Sequence, residues 1–162
     1  MRVVEGRAEI PDVGAFVAEL DAVGERHGAT VQAFDARYVV DRAHLERAVA
    51  LADRARERDD TIADDFGVEI LLYAAGRRQI NRALEMGVSE GECPVVAVVV
   101  GGDEAGAADD LRTHLEPADV LGTYDPERVR SFFGVTDTEL EATDGSLADA
   151  VRERVALLPV EK

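Results

Sequence analysis

Arg77, Arg78 and Arg82 crowd together in "EILLYAAGRRQINRALEMG" (Glu69–Gly87), where an apolar run stops at Gly76 and an amphipathic segment follows. Guanidinium groups beside the unpaired N–H groups of a helix start make a cradle for phosphate or carboxylate. They also oppose the helix macrodipole, which disfavours cations at that end by up to about 1 kcal/mol. Asp or Glu would suit the position better, and this chain has many. Arg82 falls one helical turn after Arg78, on the same face. Two readings stay open on these residues alone: an anion or nucleic-acid contact, and a plain exposed helix end.

Other chemistry has less support. His27, His44 and His114 never share a spacing that sets two on one helix face, and neither HExxH nor CxxC occurs. That pattern argues against any metal site. No nucleophile elbow flanks a serine or cysteine, so no catalytic residue is assigned. "VVVGGDEAGAADDL" imitates a phosphate-binding turn but lacks the lysine of a Walker loop and the spacing of a dinucleotide fingerprint. Asp103, Glu104, Asp109 and Asp110 would surround the phosphate with like charge, so a plain acidic turn is expected. Cys93, the single cysteine, reads as a small buried thiol. A lone cysteine rules out an internal disulfide framework and fits a reducing cytoplasm.

The elements that must position the arginines follow from periodicity. "RVVEGRAEI" alternates as a strand, and Asp12 opens a helix on which Val13, Phe16, Val17, Leu20 and Val23 recur at helical spacing. "TVQAFDARYVV" is a second strand, and Asp41 caps a helix with Leu45, Val49, Ala52 and Ala55 inward. In "ERDDTIADDFGVEILLYAAG", Ile62, Phe66, Ile70 and Tyr73 keep a spacing of three to four, which predicts a helix stopped by Gly76. "RRQINRALEMG" is expected to be a shorter helix, "PVVAVVVGG" the central strand, and "DVLGTY" a weak fourth strand. "DPERVRSFFGV" has Asp125 at the cap and Pro126 just inside it. "SLADAVRERVALLPV" closes the chain with Leu147, Val151, Val155 and Leu158 along one stripe. The expected fold is one domain over 1–162, an α/β chain of the α+β type with a small central mixed sheet of three to four strands flanked by helices.

Composition sets the environment. Asp and Glu total 34 against 18 Lys and Arg, for a formal net charge of −16, while 46% of residues are hydrophobic. Lys162 is the sole lysine, so Arg as a residue type carries no information here; position does. The carboxylates are spread over every predicted helix, which suits the high-salt cytoplasm of a halophile. Such a charge does not exclude a nucleic-acid partner. No segment is apolar for long enough to span a bilayer, and neither a membrane role nor a secretory leader is expected.

"VEILLYAAGRRQINRALEMGV" resembles the central motif of the TPRKB-like family, the small KEOPS subunit that binds a PRPK-type kinase-like protein. The resemblance rests on Glu69, Ile70, Leu71, Leu72, Ala75, Gly76, Gln79, Ile80, Ala83, Leu84 and Gly87, supported by "DRAHLERAVALA" around His44 and by "SLADAVRERVALL". It implies a non-enzymatic, cofactor-free cytoplasmic subunit of the complex that makes threonylcarbamoyl-adenosine in tRNA. Its implied partners are the kinase-like ATPase subunit directly, the other KEOPS subunits indirectly, and the single-stranded 3′ CCA end of tRNA. The C-terminal helix would then meet the kinase-like subunit through Val151, Val155, Leu157 and Leu158. Arg77, Arg78, Gln79 and Arg82 would hold RNA, with Arg54, Arg56 and Arg58 as the other wall. Arg77 and Arg78 depart from the family pattern, so they are a local choice laid over its frame. The alternative from another class is a stand-alone regulatory module that binds a small anion at the Gly76–Arg78 turn, with no tRNA role.

Overall fold

Three strands and the helices between them follow the order expected from periodicity. The computed structural model describes residues 1–143 and 145–161; Lys162 lies outside them. The elements are β1 (Arg2–Ile10), α1 (Val13–His27), β2 (Thr30–Asp35), α2 (Arg42–Glu57), α3 (Phe66–Ala75), α4 (Ile80–Ala83), β3 (Gly91–Val100), α5 (Glu104–Arg112), α6 (Pro126–Phe133), α7 (Asp137–Thr143) and α8 (Leu147–Glu161). Short 3-10 turns at Ala36–Tyr38 and Leu84–Met86 complete them. Among the described residues no helix is long and apolar enough to cross a membrane.

The apolar run of β3 puts it in the middle. The strand order is β1-β3-β2 and both pairings are antiparallel. The α+β class therefore stands, while the mixed pairing expected from the sequence is replaced by antiparallel ladders alone. Side chains alternate along β3: Cys93, Val95, Ala97 and Val99 join a core with Phe16, Leu20 and Val23 of α1 and Leu111 of α5. Val96 and Val98 join the other core, built from α2, α3, α6 and α8. Burying one valine in full contributes about 1.5–3 kcal/mol, so a strand apolar on both faces belongs between two helical layers. Burial raises the Cys93 thiol above its ordinary range, in keeping with the inert thiol expected there.

The fourth strand is absent. Arg7 and Glu116 exchange backbone hydrogen bonds of 2.8 and 2.7 Å, one isolated bridge at the outer edge of β1. Pro117 has no N–H to continue a ladder. The Val120 and Leu121 amides turn instead to the Glu5 carboxylate, at 2.8 and 3.2 Å. The glycine turn after β3 is an acidic turn closed on itself, with Gly101 N–H donating to Glu104 and Gly106 N–H to Asp103.

His44 joins α2 to α3. Its ring is fully buried, Nε2 lies 2.7 Å from the Ala74 carbonyl, and the Val40 amide lies 3.3 Å from Nδ1. A carbonyl on one nitrogen and an amide on the other fix the neutral tautomer with the proton on Nε2. Burial lowers the His44 pKa to about 4, outweighing the Ala74 hydrogen bond and the nearby Asp41 carboxylate; Arg152 lowers it further. The unfolded chain, with a histidine pKa near 6.5, takes up the proton first as pH falls. His44 therefore contributes stability that is full above about pH 6.5 and is lost progressively down to about pH 4, by roughly 3 kcal/mol in total. Denaturant titrations across that window should show this slope in the wild type and its loss in His44→Gln. Parallel profiles for the two proteins would overturn the assignment.

Candidate functional site

The site is assembled where α3 ends. Asp65 caps the helix by accepting from the Val68 amide at 2.9 Å, and Glu69 follows in the first turn. The Glu69 side chain is fully buried, yet it reaches back to the loop before the helix. Its carboxylate accepts from the Ile62 amide at 3.0 and 3.1 Å and from the Ala63 amide at 2.8 Å. Charge-assisted bonds of this kind are about twice as strong as neutral ones, and they fix Ile62 in place. Ile62 lies outside α3, because Asp65 opens the helix after it; the expected helical stripe begins only at Phe66.

At the other end Gly76 takes the left-handed conformation, φ 61° and ψ 34°, with its amide on Tyr73 O and the Arg77 amide on Leu72 O at 3.0 Å. This is the glycine stop read from the sequence. A Cβ at Gly76 would also stand 3.4 Å from the Arg154 carbonyl of α8. After the closed turn the chain bends at Arg78, and Gln79 is extended at φ −100° and ψ 121°. Arg77 and Arg78 therefore do not sit in a helix start. The helix expected from Arg77 onward is a single turn, α4, followed by a 3-10 turn.

The arginines part company on this bridge. Arg77 is half-buried: its guanidinium donates to the Phe132 carbonyl of α6 and lies 5.1 Å from the Phe132 ring centre. It ties α3 to α6 as much as it faces outward. Arg78, Gln79 and Arg82 are exposed. Together with Arg77, Gly76, Ile62 and Leu158 they line an open groove of about 550 Å³. The groove thus joins cationic and amide groups to the half-buried aliphatic side chain of Ile62, a pairing suited to an anionic ligand.

The second wall is only partly present. Arg54 and Arg58 line a smaller cleft of about 120 Å³ with Asp60, Tyr73 and Pro159. Pro159 follows Leu158 and Asp60 lies on the same loop as Ile62, but the two clefts share no lining residue. Arg56 is turned elsewhere, 2.6 Å from Asp53 and 3.8 Å above the Phe66 ring. Tyr73 is 1% exposed and offers no stacking face. Ile62 is the lining residue that periodicity assigned to packing, while Leu158 is packed in the core and only borders the groove. The signal for Ile62 was its placement before an N-capping Asp.

The C-terminal stripe needs correction. Val151, Val155 and Leu158 are buried in the core between α2, α3 and α6, with Ala150 beside them. They fill the seam against α2 and cannot be a docking surface. Leu157, 43% exposed, is the member that faces outward. Next to it on the chain, Ala156 joins Ala43 and Ala50 of α2 in a shallow trough of about 620 Å³, edged by Glu46, Arg47 and Glu153. Small side chains on two neighbouring helices allow close approach of another backbone.

The class these features define is a small α+β module whose distinctive surfaces are a basic groove and a small-residue trough. Residues 18–158 match the family model described as kinase binding protein CGI-121. The match covers most of the chain, so the chain belongs to that family. No curated protein matches it.

The groove depends on Glu69 holding Ile62. Replacing Glu69 with Ala leaves the part-buried Ile62 amide and the buried Ala63 amide without acceptors, at about 1–3 kcal/mol for a buried unsatisfied group. Glu69→Ala should lower unfolding stability by at least about 2 kcal/mol and speed hydrogen exchange at those two amides. A change within about 0.5 kcal/mol, with both amides still protected, would refute the role.

Proposed function

We propose that this chain is a non-catalytic, cytoplasmic subunit of a KEOPS-type tRNA-modification complex. It docks on the kinase-like ATPase subunit and helps recruit tRNA through the 3′ CCA end. The observation that carries the RNA part is the groove at Gly76–Arg82, an arginine-lined channel with an aliphatic wall in a chain of net charge −16. Family membership supports the kinase part.

A single-stranded end exposes phosphates and unstacked base faces together. Arg78 and Arg82 meet the phosphates, and their planar guanidinium groups stack on bases as well as pairing with charge. Gln79 presents an amide to a base edge. Ile62, half-buried at the groove, supplies apolar surface that the buried Tyr73 and Leu158 do not. The surrounding carboxylates repel a duplex elsewhere on the surface, so the attraction is local. In high salt phosphate attraction is screened, which shifts the balance toward stacking and hydrogen bonding.

Gel-shift titration with tRNA carrying and lacking its CCA end tests this reading. Intact tRNA should be held at least about tenfold more tightly, and Arg78→Glu with Arg82→Glu should remove that advantage. Equal retention of both tRNAs would refute end recognition.

The docking face is tested separately. Leu157→Glu should abolish co-purification with the kinase-like subunit while leaving the thermal melt nearly unchanged, because the side chain is outside the core. A folded Leu157→Glu protein that still co-purifies would sink the α8 assignment.

A further inference from the structure

A second groove shares no residue with the arginine groove and none with α8. It runs between α1, the outer edge of β2, α3 and the turn after α4, with a volume of about 270 Å³. Val17, Val68, Leu84 and Val88 form its apolar walls, with Asp21 and Gln32 as the polar lining. Among the described residues the large hydrophobic side chains left exposed are Val17, Ile80, Leu84 and Leu157. Two of them, Val17 at 40% and Leu84 at 57%, face this one groove. On a surface otherwise crowded with carboxylates that pairing is an apolar patch with a shape.

Charge accumulates at one end. A neighbouring cleft of about 210 Å³ shares Asp21 and Val31 with the groove and adds Glu25 and Asp65. Asp65 is occupied as the cap of α3, while Asp21 and Glu25 form no ion pair with any described residue. Desolvation first, then the charges of Asp65 and Glu25, raise the Asp21 carboxyl above its ordinary range. The end of the groove therefore holds negative charge that the chain itself does not balance.

We infer that this groove docks a short segment of a partner protein, which places one or two aliphatic side chains between Val17 and Leu84 and a Lys or Arg against Asp21 and Glu25. The volume is below the ~300–1,000 Å³ usual for small-molecule sites, so it takes side chains and not a metabolite. Charge complementarity selects a basic segment. A second copy of this chain would bring its own carboxylate excess and be repelled. The inference is independent of the RNA and kinase readings, since a chain held through α8 still presents this edge.

The probe is a phage-displayed random heptapeptide library panned on the full chain, followed by calorimetry with synthesised peptides of the enriched consensus. The expected consensus carries an aliphatic residue a few positions from Lys or Arg. Its affinity should fall at least about tenfold both for Val17→Asp with Leu84→Asp and for Asp21→Asn with Glu25→Gln. Both pairs lie outside the core, and circular dichroism melts establish that they remain folded. The second pair keeps the apolar walls, so it reads charge alone. No enrichment over the Val17→Asp, Leu84→Asp protein would overturn the inference, as would an acidic or uncharged consensus. Unchanged affinity in the Asp21→Asn, Glu25→Gln protein would overturn it too, as would self-association of the wild type that Leu84→Asp abolishes.

Discussion

A helix that is buried nearly all round must have the polar groups at both its ends paired inside the protein, and α3 is such a helix. From Glu69 to Ala75 every residue is buried. Along that buried stretch water does not serve the polar groups, and a buried one left unpaired would cost about 1–3 kcal/mol. The sequence supplies partners from outside the helix. Asp65 takes the Val68 amide, His44 bonds the Ala74 carbonyl, and the Gly76 turn returns two amides to Tyr73 and Leu72. Glu69, in the same first turn, holds the loop that leads in. These partners come from α2, from the preceding loop and from the exit turn, so closing the ends of one helix fixes the relative position of several segments. The arginine groove is the outer surface of that closure.

The same constraint explains why the groove is basic in an acidic chain. The bridge Arg77–Gln79 leaves a left-handed turn with its first amide already bonded, and it must cross to α4 with little packing of its own. Arg77 anchors it by donating to Phe132 and covering the ring. Arg154 performs a similar service from α8, donating to the Phe133 and Gly134 carbonyls and pairing with Glu139 at 2.7 and 2.9 Å. Those two arginines satisfy the carbonyl end of α6, which no apolar residue could do. Arg78 on the bridge and Arg82 on α4 are exposed. Half-buried and exposed arginines are thus interleaved within one motif, and their shared residue type hides the difference.

That difference marks what sequence could show. The apolar run of β3, the glycine stop at Gly76 and the caps Asp12, Asp41 and Asp125 were legible, because each is a local rule obeyed locally, whereas the Asp65 cap was missed inside the stripe drawn from Ile62. The capping rules placed the start of α6 correctly from Asp125 and Pro126. The start of α4 was misread because the Gly76 turn consumes the Arg77 amide and the chain bends at Arg78 before the helix begins at Ile80, a consequence of geometry and not of propensity. "DVLGTY" failed as a strand because Glu5 competes for its amides across the fold. On α1 the period gave Phe16, Leu20 and Val23 correctly but could not say that Val17, on the same stripe, is left at its edge. On α8 it identified the stripe but not its destination: Val151, Val155 and Leu158 are the inward face, so the docking assignment narrows to Leu157.

The candidate surfaces differ in how they are held, and that bears on what they can bind. The arginine groove is built from an exit turn, a pinned loop and the last turn of α8, so its shape is set by buried hydrogen bonds. Such a site is preorganised, and little ordering entropy remains for a flexible ligand end to meet beyond its own. The trough of Ala43, Ala50 and Ala156 lies on regular helices and offers area and close approach but few directional groups. It suits a folded partner presenting a complementary surface. The directional groove and the smooth face share no lining residue, so ligands at the two would not compete for the same atoms.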